Sequence, residues 1–301
     1  MNDASFAADW LALRAPFDAA ATGCGAAAAL ARRFGTMLRR HRERGVLSLL
    51  DLGGGTGANV CRLAPKIHGS QHWMVIDSDP TLLAAVDDTI ARWGRSIGGR
   101  VAATSGEVTV TTPQRIVTVT SRVHDLRDRL AGLPLDTTDG VAGSALLDLV
   151  SEAWLADAVE ALAARRLPAL FTLNVDGVLD WSPPASDDGI VAAAFGRDLM
   201  RDKGFGPALG PHAAARAQSA FAARGYTVET ARADWQVGGG DAAMHRALLS
   251  FIAPAARRQL PDGDDERWAA RVDAWGAAKG ALVEAGGLVL RVGHVDLLAG
   301  M

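Results

Sequence analysis

The sequence predicts an α/β protein: a doubly wound, mostly parallel sheet of seven strands, the last antiparallel, with an N-terminal helical cap. Three observations predict this class. Short apolar runs alternate with helical periodicity along much of the chain, a glycine cluster follows the first run, and an aspartate closes each of the first two runs. Strands that alternate with helices are typical of a parallel sheet covered by helices on both faces.

Residues 1–44 are predicted to form the helical cap, and residues 45–301 the α/β domain. The N-terminal segment is rich in Ala, and its apolar side chains recur at helical spacing at Leu30, Phe34, Met37 and Leu38. Arginines cluster between residues 39 and 44, where the dipole of a preceding helix favours cations. These features favour a helical segment.

Seven strands are predicted where short apolar or β-branched runs end at Gly, Pro or Asp. In chain order they fall within residues 46–50, 73–76, 108–119 (one or two strands, clearest at 116–119), 140–144, 169–175, 226–231 and 288–298. Helices are predicted between them, with Asp79-Pro80 as a start signal and Pro65 as a stop signal. They cover residues 58–64, 81–94, 155–165, 211–224, 241–259 and 265–284.

The segment 176–210 interrupts this alternation. It contains Trp181-Ser182-Pro183-Pro184 and most of a second stretch, 201–211, that is rich in Gly, Pro and charge. A long loop inside a compact domain is usually functional. We therefore expect a loop here that forms a substrate-side insertion, with Trp181 either lining a pocket or anchoring the loop to the core.

Composition excludes several classes of function. The formal net charge is −3, and no cluster of Lys and Arg with interleaved aromatic residues appears, so we expect no nucleic-acid partner. No run approaches the ~18 uncharged apolar residues of a membrane helix. The two cysteines, Cys24 and Cys61, lack the spacing of a disulfide framework or zinc site. Without a secretory leader at the N-terminus, the expected compartment is the cytoplasm; the oligomeric state stays open.

The most informative feature is the glycine cluster after the first strand. Glycines between a strand and a helix let the backbone approach a ligand, and the helix N-terminus offers unpaired N–H donors. The pattern Gly53-x-Gly55-x-x-Ala58 also satisfies the dinucleotide fingerprint. However, Asp51 at the end of the strand would repel a pyrophosphate, whereas a ligand with an ammonium group would gain a charge-assisted hydrogen bond.

A second carboxylate, Asp77, closes the next strand about twenty residues further on. An acidic residue at this place accepts hydrogen bonds from ribose hydroxyls. Asp77 therefore fits either a dinucleotide or another adenosine-containing cofactor. Only Asp51 distinguishes between these two kinds of cofactor.

These residues resemble motifs I and II of class I S-adenosylmethionine-dependent methyltransferases. The resemblance spans roughly residues 46–176 and is carried by Asp51-x-Gly53-x-Gly55-Thr56-Gly57 and by Val75-Ile76-Asp77-Ser78-Asp79-Pro80. It implies that Asp51 and the glycines hold the methionine part of the cofactor and that Asp77 holds the ribose. Thr56, Asn59 and Ser78 are further cofactor-binding candidates within or beside these motifs.

The resemblance also suggests residues for the adenine and the acceptor side. Asp125 and Leu126 stand where the family places an acidic residue and an apolar residue around adenine, and Ser144 begins the segment that lines the cofactor. The sequence there, Gly143 to Asp148, is not the Asn/Asp-Pro-Pro-Tyr/Phe type, which argues against methylation of bases or amides. Asp125 and Ser144 have an alternative interpretation as helix N-caps.

The sequence names no catalytic base with certainty, since methyl transfer is an in-line displacement that depends largely on alignment and exclusion of water. His294 and Asp296 share a face of the last strand and are candidates for a base and its partner, or for a structural pair. Lys203, with Arg201, could hold an anionic group. Arg14, on a possible helix with Trp10, could pair with the methionine carboxylate.

We therefore predict an S-adenosylmethionine-dependent methyltransferase that methylates O, N or C of an unidentified small molecule, anionic if Arg201 and Lys203 contact it. No metal is expected, because no carboxylate and His cluster has ligand spacing. Three alternatives remain open: an NAD(P)-dependent oxidoreductase, a protein methyltransferase, and a binding module without catalysis.

Overall fold

The computed structural model describes residues 8–41, 45–104, 106–259 and 265–301. The strands are β1 (Leu47–Leu52), β2 (Gln71–Asp77), β3 (Arg100–Thr104), β4 (Glu107–Thr111), β5 (Ile116–Val123), β6 (Gly140–Ser144), β7 (Ala169–Ser182), β8 (Thr227–Arg232), β9 (Trp235–Val237) and β10 (Val289–Gly300). The helices are α1 (Ala8–Gly23), α2 (Gly25–His41), α3 (Ala58–Leu63), α4 (Pro80–Leu83), α5 (Val86–Ser96), α6 (Glu152–Ala163), α7 (Asp188–Leu199), α8 (Ala213–Ala222), α9 (Ala242–Arg258) and α10 (Asp265–Glu284).

The strands form one sheet in the order β3-β4-β5-β2-β1-β6-β7-β10-β8, with β9 paired to β10. β5, β2, β1, β6 and β7 are parallel neighbours, and β10 runs antiparallel to both β7 and β8. The doubly wound sheet with an antiparallel last strand is thus confirmed. The predicted number of seven is wrong: the described ranges contain ten strands, because residues 108–119 hold both strands that were considered there, β4 and β5, and because β3 and β9 were not predicted.

Helices cover both faces of the sheet. On one face α2 buries Phe34 and Leu38 completely, in the same apolar cluster as residues of α5 and α9. On the other face Trp154 of α6 and Phe221 of α8 belong to a second cluster. The winding direction of the chain changes between β1 and β6, and ligands of such sheets bind outside the carboxyl ends of the strands at this switch point.

The segment 176–210 is not one long loop, which corrects the prediction: only residues 183–187 and 200–209 lie outside the strands and helices. β7 continues through residue 182 and pairs with β10, and α7 follows it. Asp and Gly residues lower the strand propensity of 176–180. This low strand propensity is overcome by pairing with β10 and by packing of the buried Trp181 indole against Trp275, with the two ring centres 5.5 Å apart. Trp181 is therefore an anchor to the core.

The extended halves of β7 and β10 carry a helical lobe, defined here as α7, α9 and α10. α9 packs on both α7 and α10, and α7 packs on β7. At their centre, the almost fully buried Lys279 ammonium contacts Asp188 at 2.9 Å, and the Trp275 indole N–H donates to the same carboxylate at 2.8 Å. The lobe packs on β7 through α7 and contacts α1 through α9.

The two N-terminal helices, α1 and α2, pack against different parts of the molecule. α2 packs directly on the sheet, whereas α1 packs on α9 of the helical lobe, on β9 and on α3. The division into residues 1–44 and 45–301 stays a prediction. None of the helices in the described ranges combines the length and apolarity needed to cross a bilayer.

Candidate functional site

The glycine turn, residues 53–57, joins β1 to α3 at the switch point. Gly53, Gly55 and Gly57 have φ of 62°, 53° and 79°, in the left-handed region that favours glycine. A Cβ on Gly54 would lie only 2.7 Å from Val75 Cγ1 and 2.8 Å from Asp51 Oδ2. The turn therefore requires glycine for two reasons, backbone conformation and close packing over the Asp51 carboxylate.

Asp51 lies beneath this turn and is fully buried. Its Oδ1 accepts a hydrogen bond of 2.7 Å from the Asn59 side-chain amide, while its Oδ2 has no partner. Burial raises the pKa of Asp51 to about 7, although the Asn59 hydrogen bond and the Arg62 guanidinium each act to lower it. A buried carboxylate oxygen without a partner is costly unless a ligand supplies a donor.

Asp77 ends β2 on the other side of the turn. Its Oδ2 accepts the Gly55 backbone N–H at 2.9 Å and its Oδ1 accepts the Asp79 backbone N–H at 3.0 Å. Partial burial raises its pKa. Each carboxylate oxygen has a second lone pair, so Asp77 can hold the turn and still accept hydrogen bonds from a ligand. Asp79 instead caps α4, accepting the Thr81 N–H at 2.8 Å.

Asp18 of α1 connects three elements around the site. It accepts from Arg14 at 3.1 Å, from the indole N–H of Trp235 in β9 at 3.0 Å, and from Arg62 of α3 at 3.1 Å. Arg62 also donates to Ser144 Oγ at 2.8 Å. Asp18 and Arg62 were not predicted, because their spacings to Arg14 and Asn59 are visible in the sequence but their partners across the fold are not.

α1 covers the glycine turn. A Cβ on Gly55 would be 3.4 Å from Leu11 Cδ1, and the Trp10 ring packs edge-on against Phe251 of α9 at 5.0 Å. The Arg14 guanidinium lies 5.1 Å from the centre of the Trp235 ring. The helix predicted for Trp10 and Arg14 is confirmed, and in this structure Arg14 is engaged with Asp18 and Trp235.

The predicted adenine residues lie at the end of β5. Asp125 caps a short 3-10 helix, accepting the Arg127 backbone N–H at 2.9 Å, and its pKa is lowered by the Arg127 side chain. Leu126 is buried, and its carbonyl accepts the Trp154 indole N–H at 2.6 Å. The N-cap interpretation of Asp125 is thus confirmed, whereas its role toward adenine stays a prediction.

For Ser144, the N-cap interpretation is wrong. Ser151 caps α6, accepting the Trp154 backbone N–H at 3.2 Å. Ser144 ends β6 at the switch point and accepts the hydrogen bond from Arg62. The two remaining candidates next to the glycines and Asp77, Thr56 and Ser78, lie where their motifs predict, in the turn and directly after β2.

His294 and Asp296 are buried on β10, and each is bound to backbone rather than to the other. The His294 ring is hydrogen-bonded through Nδ1 to the Val292 carbonyl at 3.0 Å, and Asp296 Oδ1 accepts the Leu173 N–H at 2.7 Å. Burial lowers the pKa of His294 to about 4 and raises that of Asp296 to about 6. The geometry is that of structural residues and corrects the base–partner interpretation.

The side chains of Lys203 and Arg201 are engaged in ion pairs within the protein and are not positioned to bind an anion. Both contact the buried Asp198 carboxylate, at 3.8 Å and 3.4 Å, which Arg258 also reaches at 3.3 Å. The segment itself runs beside the chain that follows β6, because the Leu209 and Gly210 N–H groups donate to the carbonyls of residues 150 and 148 at 2.8 Å and 3.0 Å. The predicted substrate-side location of this segment stays a prediction, and the ion pairs with Asp198 argue against its anion-binding role.

Among the described residues, no group of three or more His, Cys, Asp or Glu side chains is placed to hold a metal ion. Both cysteines are free. Burial raises the pKa of Cys61 to about 12, so its thiol stays protonated at neutral pH.

No protein-family model and no curated protein sequence matches this chain. Solved structures give low similarities. The cyclopropane synthase MmaA2 from Mycobacterium tuberculosis is 11% identical, with 89% of this chain and 83% of that chain covered and a TM-score of 0.42. A SAM-dependent methyltransferase from Geobacter sulfurreducens in complex with S-adenosyl-L-homocysteine is 18% identical (95% and 98% covered, TM-score 0.40). A geranyl diphosphate methyltransferase in complex with SAM is 10% identical (90% and 84% covered, TM-score 0.41).

Proposed function

We propose that this chain is an S-adenosylmethionine-dependent methyltransferase that acts on a small molecule. The observation that carries the proposal is the Oδ2 atom of Asp51, buried and without a partner under a glycine turn at the switch point of the sheet. An ammonium group placed at this turn would supply the missing donor and the opposite charge. The α-ammonium of the methionine moiety is such a group.

The other residues of the site fit the rest of this cofactor. Asp77 accepts the ribose hydroxyls with its second lone pairs, and Arg14 or Arg62, which both contact Asp18 in this structure, takes the α-carboxylate. Leu126 packs against adenine and Asp125 accepts from its amino group. When bound, the cofactor supplies an electrophilic methyl group on a sulfonium.

A dinucleotide fits less well. Its pyrophosphate would lie on the glycine turn between the Asp51 and Asp77 carboxylates, and both carboxylates already have pKa values raised by burial. Adding phosphate charge there would raise them further, at a free-energy cost to binding. The oxidoreductase alternative is therefore disfavoured on electrostatic grounds.

The covering of the site favours a small acceptor over a protein. α1 lies over the glycine turn through Leu11, and it joins the helical lobe through Trp10 and Phe251. We therefore place the acceptor between α1, the lobe and the carboxyl ends of the strands, since methyl transfer depends on exclusion of water and on alignment of the reacting atoms. A small acceptor bound in this way needs no exposed groove of the kind that a polypeptide substrate requires.

Label transfer tests the proposal. Protein is incubated with methyl-tritiated S-adenosylmethionine and a cell extract, the ultrafiltrate is resolved by chromatography, and label is counted in small molecules other than S-adenosylmethionine and in the retained protein. Label in a new small molecule is expected, and it should be lost when S-adenosylhomocysteine is added in excess and reduced when Asp51→Asn replaces the wild type. Label only in retained protein would favour a protein methyltransferase, and transfer of label to neither fraction would contradict the proposal.

A further inference from the structure

α1 is attached to the rest of the molecule mainly through polar contacts. The buried residues of Ala8–Gly23 are Asp18 and Thr22, and its apolar side chains are at most partly buried. Thr22 uses its hydroxyl within the helix, donating to the Asp18 carbonyl at 2.8 Å. The next helix, α2, instead buries Phe34 and Leu38 completely. Since helices in proteins are held mainly by the apolar face that they bury, the position of α1 depends strongly on the contacts of the Asp18 carboxylate.

Arg62 of α3 is the partner that connects Asp18 to the region of the glycine turn. The Arg62 guanidinium lies 3.1 Å from Asp18 Oδ2, and both side chains are largely buried. Arg62 also donates to Ser144 Oγ at 2.8 Å and to Asn59 Oδ1 at 3.2 Å. Both of these acceptors are neutral. Within the described ranges, Asp18 is therefore the anion that Arg62 contacts directly.

The same guanidinium lies close to the proposed place of the ligand ammonium. Asn59 connects the two, because its side-chain oxygen accepts from Arg62 and its amide donates to Asp51 at 2.7 Å. Arg62 also interacts electrostatically with Asp51, whereas Arg14 interacts with Asp148. In an α-amino acid the ammonium and the carboxylate are attached to the same carbon atom. A ligand whose ammonium reaches Asp51 therefore brings its carboxylate toward Arg62.

α1 also covers the turn through an apolar contact. A Cβ on Gly55 would be 3.4 Å from Leu11 Cδ1, and Asp51 beneath the turn is fully buried. A ligand that reaches the turn must therefore shift α1. An open cleft of about 260 Å³ lies between α1, α3 and α5, with Arg62 in its wall. α1 is thus not tightly packed on the side where it contacts Arg62.

We propose that Asp18 occupies the position of the cofactor's α-carboxylate on Arg62, so that α1 as placed in this structure is autoinhibitory and cofactor binding displaces it from Arg62. The inference rests on the proposed function and adds a competition at the same site. It also assigns the α-carboxylate to Arg62 and not to Arg14, the residue predicted from the sequence.

The buried charges stay paired in both states. When the ligand carboxylate takes the place of Asp18 on Arg62, Asp18 keeps Arg14, four residues earlier in the same helix at 3.1 Å, and the Trp235 indole N–H at 3.0 Å. Trp10 continues to hold α1 on α9, so α1 still covers the site. The exchange therefore avoids the cost of a largely buried charge without a partner.

Two substitutions separate this competition from a general loosening of α1. Asp18→Asn removes the competing carboxylate and leaves Arg62 free for the ligand. Arg62→Met removes the contact of α1 and the contact of the ligand at once. Asp198→Asn is the matched control, because this carboxylate is 5% exposed and also contacts an arginine, Arg258, but lies at the end of α7.

The ligands to compare are S-adenosylhomocysteine and its decarboxylated analogue, in which a hydrogen atom replaces the α-carboxylate. The analogue keeps the ammonium, the ribose and the adenine, so it still requires α1 to shift but cannot pair with Arg62. Calorimetric titration at pH 8 measures both affinities, and thermal unfolding measures the stability of each variant.

Asp18→Asn should bind both ligands about tenfold more tightly than the wild type, although its thermal stability falls, because the ligand no longer has to displace a carboxylate. Arg62→Met should bind the decarboxylated analogue about tenfold more tightly for the same reason. Its affinity for S-adenosylhomocysteine should stay within about threefold of the wild type, since the lost carboxylate contact offsets the release of α1. Asp198→Asn should lose stability with both affinities within about twofold.

An unchanged or weaker affinity of Asp18→Asn for S-adenosylhomocysteine would overturn the inference, because removal of a merely supporting residue weakens binding. Equal gains for both ligands in Arg62→Met would overturn it by showing that Arg62 does not take the carboxylate. A gain in Asp198→Asn as large as that in Asp18→Asn would attribute the effect to loosening alone. If Asp18→Asn does not fold, the contrast between the two ligands in Arg62→Met decides the inference. Failure of the wild type to bind either ligand would instead reject the proposed function.

Discussion

The Asn59 side-chain amide donates a 2.7 Å hydrogen bond to one carboxylate oxygen of Asp51 and leaves the other oxygen unpaired. Asn59 therefore fixes the orientation of the carboxylate without neutralising it. The burial that raises the pKa of Asp51 to about 7 makes the ligand-free protein hold a proton there part of the time. A cationic ligand must displace that proton, so affinity, stability and pH are linked at this residue.

The first prediction concerns the pH dependence of cofactor-product affinity. With a pKa of about 7, Asp51 is mostly ionised at pH 8 and about one-tenth ionised at pH 6. Because only the ionised form pairs with the ligand ammonium, S-adenosylhomocysteine should bind about tenfold more weakly at pH 6 than at pH 8. Calorimetric titration across this range measures it. Asp51→Asn should bind weakly with a flat profile, and the same slope in that variant would assign the effect to another group.

Asp51→Asn should also stabilise the ligand-free protein. Since the pKa of Asp51 is higher in the folded state (about 7) than its ordinary 3.8, its contribution to stability is complete below pH 3.8. That contribution is lost as pH rises through 7. At pH 8 the loss is about 4 kcal/mol. The amide keeps the Asn59 contact without charge. Urea unfolding should show a gain in the free energy of unfolding at pH 8 that shrinks toward pH 4; a loss of stability at pH 8 would contradict the account.

Asp77 and Asp51 should be separable with adenosine, which lacks the methionine part. Asp77→Asn is expected to weaken both adenosine and S-adenosylhomocysteine by tenfold or more, because a ribose hydroxyl loses a charged acceptor (about 1.5–3 kcal/mol). Asp51→Asn should weaken only S-adenosylhomocysteine. Competition binding at pH 8 measures both. If adenosine binding were equally sensitive to the two substitutions, the assignment of the two carboxylates would be wrong.

Asp18→Asn should loosen α1. The substitution removes the charge that compensates Arg14 and Arg62, whose side chains are only 11% and 12% exposed. Leaving two largely buried cations without their carboxylate costs about 3–5 kcal/mol. Backbone hydrogen exchange should accelerate more in α1 than in α6, which lies on the opposite face of the sheet. Equal acceleration in the two helices would indicate global destabilisation instead of release of α1.

In the helical lobe, Lys279→Met should be strongly destabilising. The ammonium is 1% exposed and contacts Asp188 at 2.9 Å and the Pro183 carbonyl at 3.2 Å. Its loss leaves Asp188 uncompensated and costs about 3–5 kcal/mol. The exposed Arg246–Glu284 pair gives the matched control, since Arg246→Met should change the free energy of unfolding by about 1 kcal/mol or less. Similar effects of the two substitutions in urea unfolding would contradict the structural role of Lys279.

Structure that is set by local interactions could be predicted from the sequence. The turn from β1 to α3 needs its glycines, and α9 and α10 carry a clear helical pattern, so both were predicted close to their observed bounds. The second half of β7 was missed because its stability comes from pairing with β10 more than a hundred residues away. Asp18 and Arg62 were missed for the same reason. They belong to the site because Arg62 contacts both Asp18 and Ser144, and these contacts exist only in the folded chain.

The central claim is that the buried oxygen of Asp51 receives the ammonium of the S-adenosylmethionine methionine moiety. Calorimetric titration of the wild type and Asp51→Asn with S-adenosylhomocysteine at pH 8, with NADPH as the comparison ligand, tests it most directly. The account predicts micromolar binding of S-adenosylhomocysteine (about −8 kcal/mol), a loss of at least tenfold in the variant, and no binding of NADPH. Undetectable S-adenosylhomocysteine binding, tighter NADPH binding, or full affinity in Asp51→Asn would contradict it.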